Sequence, residues 1–212
     1  MEVESVLSVP EVLTYAISTA LEAVLMTNPA ADFDPSRHTE HAHSRWSQRL
    51  AGGAHALIRH IERLDSSAVR QFIDGLSSEN KHQRFLMHLD RAGESFITHL
   101  THVDGINEVA LVAVIKDGAA EKILGLCYYR KNTEQSSANC TLMVADDWQR
   151  KGLGAALIRH LTEIARADAL VKLSITEYAE NLELRGLAHE LGFHVHLDPD
   201  DTNQLIYTLS LV

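Results

Sequence analysis

Apolar residues along this chain switch repeatedly between a spacing of two and a spacing of three or four. The alternating stretches predict strands at 55–61, 108–116, 122–131, 139–145, 171–178, 193–197 and 204–211. The stretches with wider spacing predict helices at 66–75, 79–89, 94–102, 152–167 and 182–191. Strands that first form a meander and then alternate with helices indicate an α/β or α+β fold, with a mixed central sheet of about seven strands.

The first 53 residues follow a different pattern. An apolar stripe over residues 10–26, beginning at Pro10, predicts one helix. Residues 28–53 are rich in Asp, Pro, Ser and His, which predicts a polar linker with at most a short helix. The expected organisation is therefore an N-terminal helix and linker at 1–53, followed by a main domain at 54–212. The helix is expected to dock on that domain or, in a homodimer, on a second subunit.

Two residues are predicted to mark helix ends. A repeated pentapeptide also shows how neighbouring residues decide between strand and helix. Asp65 is the predicted N-cap of the helix at 66–75, and Gly192 is predicted to end the helix at 182–191. The sequence ALIRH occurs at 56–60 and again at 156–160. The first copy ends in a short apolar run and predicts a strand, whereas the second lies within a helical stripe.

Charge narrows the range of partners. The chain has a formal net charge of −10 at pH 7 and a pI of about 5.7. No basic stripe is present that could follow a phosphate backbone, so nucleic-acid binding is not expected. An acidic surface instead suits cationic substrates such as lysine side chains or polyamines. The apolar runs predict neither a signal peptide nor a membrane span, and a cytoplasmic location is expected.

Cysteines and histidines do not predict a metal site. Cys127 and Cys140 lie in apolar, strand-like segments and are expected to be buried reduced thiols, with a disulfide or a metal site as the alternative. Three histidines, at 38, 41 and 43, lie in the polar linker, where nothing makes ligands converge. No metal is therefore expected.

The segment that carries chemistry is Gln149-Arg-Lys-Gly-Leu-Gly154, between a predicted strand and a predicted helix. Such a turn presents consecutive backbone N–H groups at the positive end of a helix dipole. Its glycines allow the backbone to approach a bulky anion without a Cβ clash. The segment predicts a phosphate or pyrophosphate site, although a ligand-free glycine-rich turn has the same pattern. It lacks the Walker signature GxxxxGK[ST].

The Q-x-x-G-x-G pattern after an apolar strand resembles the acetyl-CoA pyrophosphate signature of the GNAT acyltransferase superfamily. Four further segments, at 57–65, 72–85, 103–114 and 179–193, resemble the GNAT domain of bacterial Pat-type protein lysine acetyltransferases. The resemblance covers about residues 54–211. It implies the GNAT fold, with a mixed and mostly antiparallel sheet whose fourth and fifth strands, here 139–145 and 171–178, splay apart to hold coenzyme A.

The resemblance also implies the residues that hold acetyl-CoA. The backbone of one strand would bind the pantetheine arm, the amides of the glycine loop would bind the pyrophosphate, and an Asn at the head of the next helix would order the site. In this chain these residues are Leu142, Met143, Val144, Gln149, Arg150, Lys151, Gly152, Leu153, Gly154, Ala155 and Asn181.

The customary proton-transfer residues of this family are missing from their usual positions. The Pat-type pattern has a Glu seven residues before Asp146, where this chain has Asn139. Many GNAT enzymes have a Tyr where this chain has Ala188. Tyr178, Glu177 and Glu134 are alternative candidates for the proton-transfer role, and positioning alone could also support a slow reaction.

The resulting hypothesis is an acetyl-CoA-dependent N-acetyltransferase that acts by direct attack of an amine in a ternary complex. A protein lysine is the expected acceptor. Two alternatives remain open, namely a small-molecule amine acetyltransferase and a non-catalytic acetyl-CoA-binding sensor or regulatory module.

Overall fold

The computed structural model describes residues 44–78, 80, 89–118, 120–132 and 136–212, with the backbone alone at 89–93. The predicted N-terminal helix and nearly all of the predicted helix at 79–89 lie outside these residues. Within them, one sheet contains eight strands in the order β1-β2-β3-β4-β5-β6-β8-β7. The strands are β1 Arg45–Arg49, β2 His55–His60, β3 Glu108–Asp117, β4 Ala120–Asn132, β5 Ser137–Val144, β6 Lys172–Tyr178, β7 His194–Leu197 and β8 Gln204–Ser210.

Four helices of the described residues flank this sheet. They are α1 Ser66–Asp74, α2 Leu89–Thr101, α3 Leu153–Ala167 and α4 Leu182–Glu190, with short 3₁₀ turns at Arg63–Asp65 and Asp146–Trp148. The seven predicted strands are therefore present, and so are the predicted helices that lie within the described residues. The two ALIRH copies also adopt the predicted structures, the first in β2 and the second in α3. Gly192 follows α4 with φ of 82°, a conformation that suits glycine at a helix end.

The linker prediction is wrong for residues 45–49, which form the eighth strand. This strand, β1, pairs antiparallel with β2 and forms one edge of the sheet. Its sequence RWSQR has a single apolar residue, Trp46, which packs against the core from a half-buried position. An edge strand that faces solvent can be this polar, so hydrophobic alternation does not reveal it.

The sheet has two apolar faces that are covered by different helices. On one face, residues of α3 and α4 pack with Leu142, Val144 and Ile175. On the other face, residues of α1 and α2 pack with Leu126 and Met143. Because side chains alternate across a strand, each residue of β5 is assigned to the α3/α4 face or to the α1/α2 face.

The sheet opens between β5 and β6. Neighbouring strands pair antiparallel except for these two, which run parallel. Their ladder has only three pairs, Ser137–Lys172, Ala138–Leu173 and Asn139–Ser174. Beyond Asn139 the strands diverge, so the edge of β5 that faces β6 has no strand partner there. The predicted splay is therefore present.

A buried ion cluster joins the start of α1 to the sheet. The Arg59 guanidinium donates to both oxygens of Asp65, at 2.7 and 2.8 Å, and to Glu121 Oε2 at 2.7 Å. The Asp65 carboxylate also accepts from the Glu62 N–H at 2.7 Å. Asp65 precedes α1 as predicted, but its side chain does not cap that helix because Arg59 and the 3₁₀ turn occupy it.

The described residues also include the two cysteines. Cys127 and Cys140 are both buried and form no disulfide, as predicted. The described segments contain no convergent group of His, Cys, Asp and Glu that could hold a metal ion. No helix among the described residues has the length and apolar character needed to cross a membrane.

Candidate active site

A groove of about 470 Å³ opens on the α3/α4 face where β5 and β6 diverge. The end of β5, the glycine loop, the start of α3 and one side of α4 form its walls. The lining residues are Leu142, Val144, Gln149, Arg150, Gly152, Gly154, Ala155, Leu182, Glu183, Leu184, Gly186, Leu187 and Glu190. The groove therefore combines an open strand edge with a helix N-terminus.

The glycine loop leaves its backbone N–H groups available at the head of α3. Gly152 adopts φ of 84°, a conformation that favours glycine, and precedes the helix. Its carbonyl accepts the N–H of Ala156 at 3.1 Å. The amides of Leu153, Gly154 and Ala155 precede this bond and have no carbonyl of their own helix to bind. Together with the helix dipole, they form a site suited to a phosphate or pyrophosphate.

Gly154 is needed for the close approach of α3 to the groove wall. A Cβ at this position would lie 3.2 Å from Leu142 Cδ2 and 3.2 Å from Leu187 Cδ2. Both leucines also line the groove. A larger side chain at Gly154 would therefore enter the space between β5 and α4.

The Val144 carbonyl at the end of β5 is bound by two amide side chains. The Asn80 Nδ2 group donates to it at 2.9 Å, and the Gln149 Nε2 group lies 3.4 Å away. Asn80 is 4% exposed. The segment after α1 and the glycine loop are thus both attached to the strand end that borders the groove. Sequence patterns did not reveal Asn80, because its partner is 64 residues away.

Asn181 has a buried donor that finds no hydrogen-bond partner among the described residues. Its Oδ1 accepts the Leu184 N–H at 2.9 Å and caps α4. Its Nδ2 is buried and unpaired, and the residue is only 2% exposed. A buried unpaired amide is unfavourable in a folded protein and points to a polar ligand atom at this place.

A second cleft of about 240 Å³ adjoins the groove and shares Gln149, Leu182 and Glu183 with it. It is also lined by Ser77, Asn80, Asp146, Glu180 and Asn181. Its three carboxylates give it an acidic character. Although burial alone would raise the pKa of Asp146, hydrogen bonds from the Ser77 hydroxyl and N–H outweigh that effect and lower the pKa.

Comparisons with known proteins agree with this geometry. A family model for the acetyltransferase (GNAT) family matches residues 75–193, more than half of the chain. The chain belongs to the GNAT acetyltransferase family. An acetyltransferase of Pseudomonas aeruginosa is 34% identical over 166 residues, which are 78% of this chain and 89% of the relative.

Solved GNAT structures support the same fold. The GNAT domain of Streptomyces lividans PAT superposes with a TM-score of 0.71 at 18% identity, over 84% of this chain and 99% of that domain. Salmonella typhimurium yncA, solved with its cofactor acetyl-CoA, gives a TM-score of 0.59 at 16% identity, over 75% and 95% of the two chains. The present chain has the GNAT fold, and its acyl donor is acetyl-CoA.

Most of the residues expected to hold acetyl-CoA meet at the groove. Four expected residues do not line the groove: Asn181 lines the adjoining cleft, and the other three have side chains directed elsewhere. Leu153 is fully buried in the core, Met143 packs on the α1/α2 face, and the Lys151 ammonium lies 4.9 Å from the centre of the Trp148 ring. Leu153 and Met143 therefore contribute no side chain to the groove. The expected residues that line the groove are Leu142, Val144, Gln149, Arg150, Gly152, Gly154 and Ala155.

The expected catalytic residues do not all lie on one side of the sheet. Asn139 is exposed on the α1/α2 face, and Tyr178 shares its face of β6 with Ser174 and Thr176. Glu177 points to the opposite face and is 3% exposed. Ala188 is buried in the core of the α3/α4 face. Glu134 lies outside the described residues.

Asp104 holds the turn that leads into β3 of the GNAT sheet. Its Oδ1 accepts the N–H groups of Ile106 and Asn107 at 2.8 Å each and that of Glu108 at 3.0 Å. Burial alone would raise the pKa of Asp104, but these backbone hydrogen bonds outweigh it and lower that pKa. The anionic form therefore stabilises the folded state.

We expect Asp104→Ala to lower the free energy of unfolding at pH 7 by about 1–2 kcal/mol, because three N–H groups lose their acceptor. A lowered folded-state pKa contributes stability above the unfolded pKa and loses it as the pH falls through the folded value. The free energies of unfolding of wild type and Asp104→Ala should therefore become more similar below about pH 3.9. Urea unfolding at several pH values measures it, and a constant difference across this range would contradict the assignment.

Proposed function

We propose that this protein transfers the acetyl group of acetyl-CoA to a primary amine, with a protein lysine as the acceptor. The observation that carries the proposal is the splay between β5 and β6 beside the groove, which leaves the edge of β5 there without a strand partner. The free amides at the head of α3 support acetyl-CoA as the occupant of the groove, and the unpaired Asn181 Nδ2 supports a polar ligand atom in the adjoining cleft.

Each part of the groove suits one part of acetyl-CoA. The amides at the head of α3 would bind the pyrophosphate. The open edge of β5 at Leu142–Val144, apart from the Val144 carbonyl that Asn80 and Gln149 already bind, would bind the pantetheine amides as a neighbouring strand does. Asn181 Nδ2 would donate to a pantetheine oxygen. Held in this way, the thioester would lie beside β5, and an amine would approach from the α1/α2 face. Direct transfer in a ternary complex then depends on orientation of the two reactants.

A cationic acceptor is supported by the charge around the second cleft. Asp146, Glu180 and Glu183 line this cleft, and the whole chain has a net charge of −10. A lysine-bearing segment would be attracted to these carboxylates before its amine reaches the splay. The resemblance of five sequence segments to Pat-type protein lysine acetyltransferases supports the same class of acceptor.

We expect Glu180→Lys to raise the KM for a lysine-bearing protein acceptor about fivefold, because one nearby charge pair contributes about 1 kcal/mol in water. The kcat value should change little, since the charge acts on encounter and binding. Steady-state kinetics at low and high salt measure both values. Added salt should reduce the difference in KM between wild type and Glu180→Lys. Glu163→Lys on α3 makes the same change of net charge away from this cleft and is the control. An equal rise of KM in both variants would exclude a local role for Glu180.

The acceptor class is tested by release of the coenzyme A thiol in the presence of lysine-bearing proteins, small amines or no acceptor. The proposal expects thiol release with proteins, together with an equal gain of acetyl groups on lysine in mass spectra. Release with small amines alone would identify a small-molecule acetyltransferase. Binding of acetyl-CoA in calorimetry without thiol release from any acceptor would favour a sensor or regulatory module.

A further inference from the structure

Four polar side chains form a connected cluster on the α1/α2 face of the sheet. Glu108 Oε1 accepts from the Tyr128 hydroxyl at 3.0 Å and from Arg130 Nε at 2.7 Å. Glu108 Oε2 lies 3.1 Å from His99 Nε2, and the Tyr128 hydroxyl lies 3.2 Å from the same nitrogen. Helix α2 and strands β3 and β4 thus contribute to one network centred on Glu108, whose side chain is 11% exposed.

This cluster lies next to the point where the sheet opens. Arg130 of β4 is the direct strand partner of Asn139, and Asn139 is the last residue of β5 that pairs with β6. Tyr128 is the partner of Thr141, two residues further into the splay. Neighbouring strands are about 4.8 Å apart, so Tyr128 and Arg130 are one strand away from β5, and Glu108 on β3 is two strands away.

Asn139 and Thr141 leave this side of the splay accessible. Both residues share the α1/α2 face with Met143, because they alternate with the residues that face α3. Asn139 is exposed and Thr141 is half-buried. An amine that attacks a thioester held on the opposite face would arrive beside these two residues and hence beside the cluster.

The hydrogen-bond network determines which nitrogen of His99 is free to accept a proton. The Tyr128 hydroxyl donates its hydrogen to Glu108, so His99 Nε2 is best assigned as the N–H that points to the carboxylate. Nδ1 then has the free lone pair of the neutral imidazole. The carboxylate orients the ring and stabilises the imidazolium that forms when Nδ1 takes a proton.

Nearby charges act on this pair from several elements. Arg130 of β4 and Glu108 of β3 bring opposite charges to the cluster, and Asp104 in the preceding turn adds negative charge near Tyr128. Burial alone would raise the pKa of Glu108, but the contacts with His99, Arg130 and Tyr128 outweigh it and lower that pKa. Glu108 therefore remains a carboxylate at neutral pH.

We propose that His99, positioned by Glu108, takes the proton of the acceptor amine through a bridging water, in place of a carboxylate at position 139. The inference rests on the proposed function. The ammonium first loses one proton to Nδ1. The amine lone pair then forms a bond to the acetyl carbon, the C–S bond breaks with its electron pair on sulfur, and the thiolate takes the second proton released by the nitrogen. The products are the acetylated amine, coenzyme A and one proton that passes from His99 to solvent.

The test is the pH dependence of kcat/KM for the full chain and its variants. In wild type, kcat/KM should fall at acidic pH, which we call the acidic limb, because a protonated His99 cannot accept a proton. We expect His99→Gln to lower kcat/KM by about 100-fold or more and to abolish that limb. Glu108→Gln should also lower kcat/KM, because the ring loses the carboxylate that orients it. His102→Gln removes an exposed histidine that bonds the Thr98 carbonyl, and it should keep both the rate and the limb.

Two further readouts separate the proton-transfer role from a structural one. Acetyl-CoA affinity should be unchanged in His99→Gln, and the ¹⁵N spectrum of neutral His99 in wild type should show the Nε2–H tautomer. An unchanged limb in His99→Gln, or an Nδ1–H tautomer, would overturn the role of His99 while the proposed function stands. Lack of turnover by wild type with every amine, despite acetyl-CoA binding, would overturn both.

Discussion

Replacement of Gly154 by valine is expected to lower the affinity for acetyl-CoA by about 100-fold, or roughly 2.7 kcal/mol. The first added carbon alone would lie 3.2 Å from Leu142 Cδ2 and from Leu187 Cδ2, and valine adds two methyl groups beyond it. Overpacking of this kind forces side chains and backbone to move. Here the movement would occur in the walls of the groove itself.

Calorimetry with acetyl-CoA measures the loss directly, and the melting temperature with and without acetyl-CoA provides a second readout. Gly186→Ala is the matched control, because Gly186 lines the same groove but a Cβ there meets no atom within 4 Å among the described residues. Its affinity should remain close to that of wild type. Wild-type affinity in Gly154→Val would show that acetyl-CoA does not occupy the space between β5 and α4.

The second large effect is expected from Arg59→Leu, which should lower the free energy of unfolding by about 3–5 kcal/mol. Arg59 is 6% exposed and Asp65 is 8% exposed, so removal of the guanidinium leaves a buried carboxylate without its charged partner. The hydrogen bond to Asp65, with a further one to Glu121, raises the pKa of Arg59 above its ordinary value despite burial, so the guanidinium remains charged.

Arg45→Leu is the control for this change. Arg45 forms an ion pair with Glu62 at 3.4 Å in which both side chains are more than half exposed, and such pairs contribute at most about 1 kcal/mol. The double variant Arg59→Leu/Asp65→Leu should be more stable than the single one, because no buried charge is left unpaired. Urea unfolding tests all three, and equal losses in the two single variants would contradict a special role for the buried cluster.

Local sequence patterns predicted the helices and strands that bury one apolar face. They missed structure that depends on contacts with residues elsewhere in the chain. The ALIRH copies show the first case, since neighbouring apolar residues decide between strand and helix. Strand β1 shows the second case, because its structure comes from pairing with β2 rather than from its own composition. Asp65 was placed correctly before α1, but its bond to Arg59 depends on the fold.

The candidate site divides in the same way. The glycine loop is contiguous in sequence, so its position at the head of α3 and its role as an anion site could be predicted. Asn80 and the cluster around Glu108 could not be predicted, because their members come from separate elements and meet only after the sheet has formed. The customary base position holds Asn139, and this position in the sequence gives no indication of the Glu108 carboxylate on β3.

The most direct test of the central claim is a crystal structure of this protein with acetyl-CoA. We predict that the pyrophosphate contacts the amides at the head of α3, that the pantetheine arm follows Leu142–Val144, and that the thioester lies in the splay with the α1/α2 face open to an amine. Acetyl-CoA bound outside the groove, or a groove closed by approach of β6 to β5, would contradict the account.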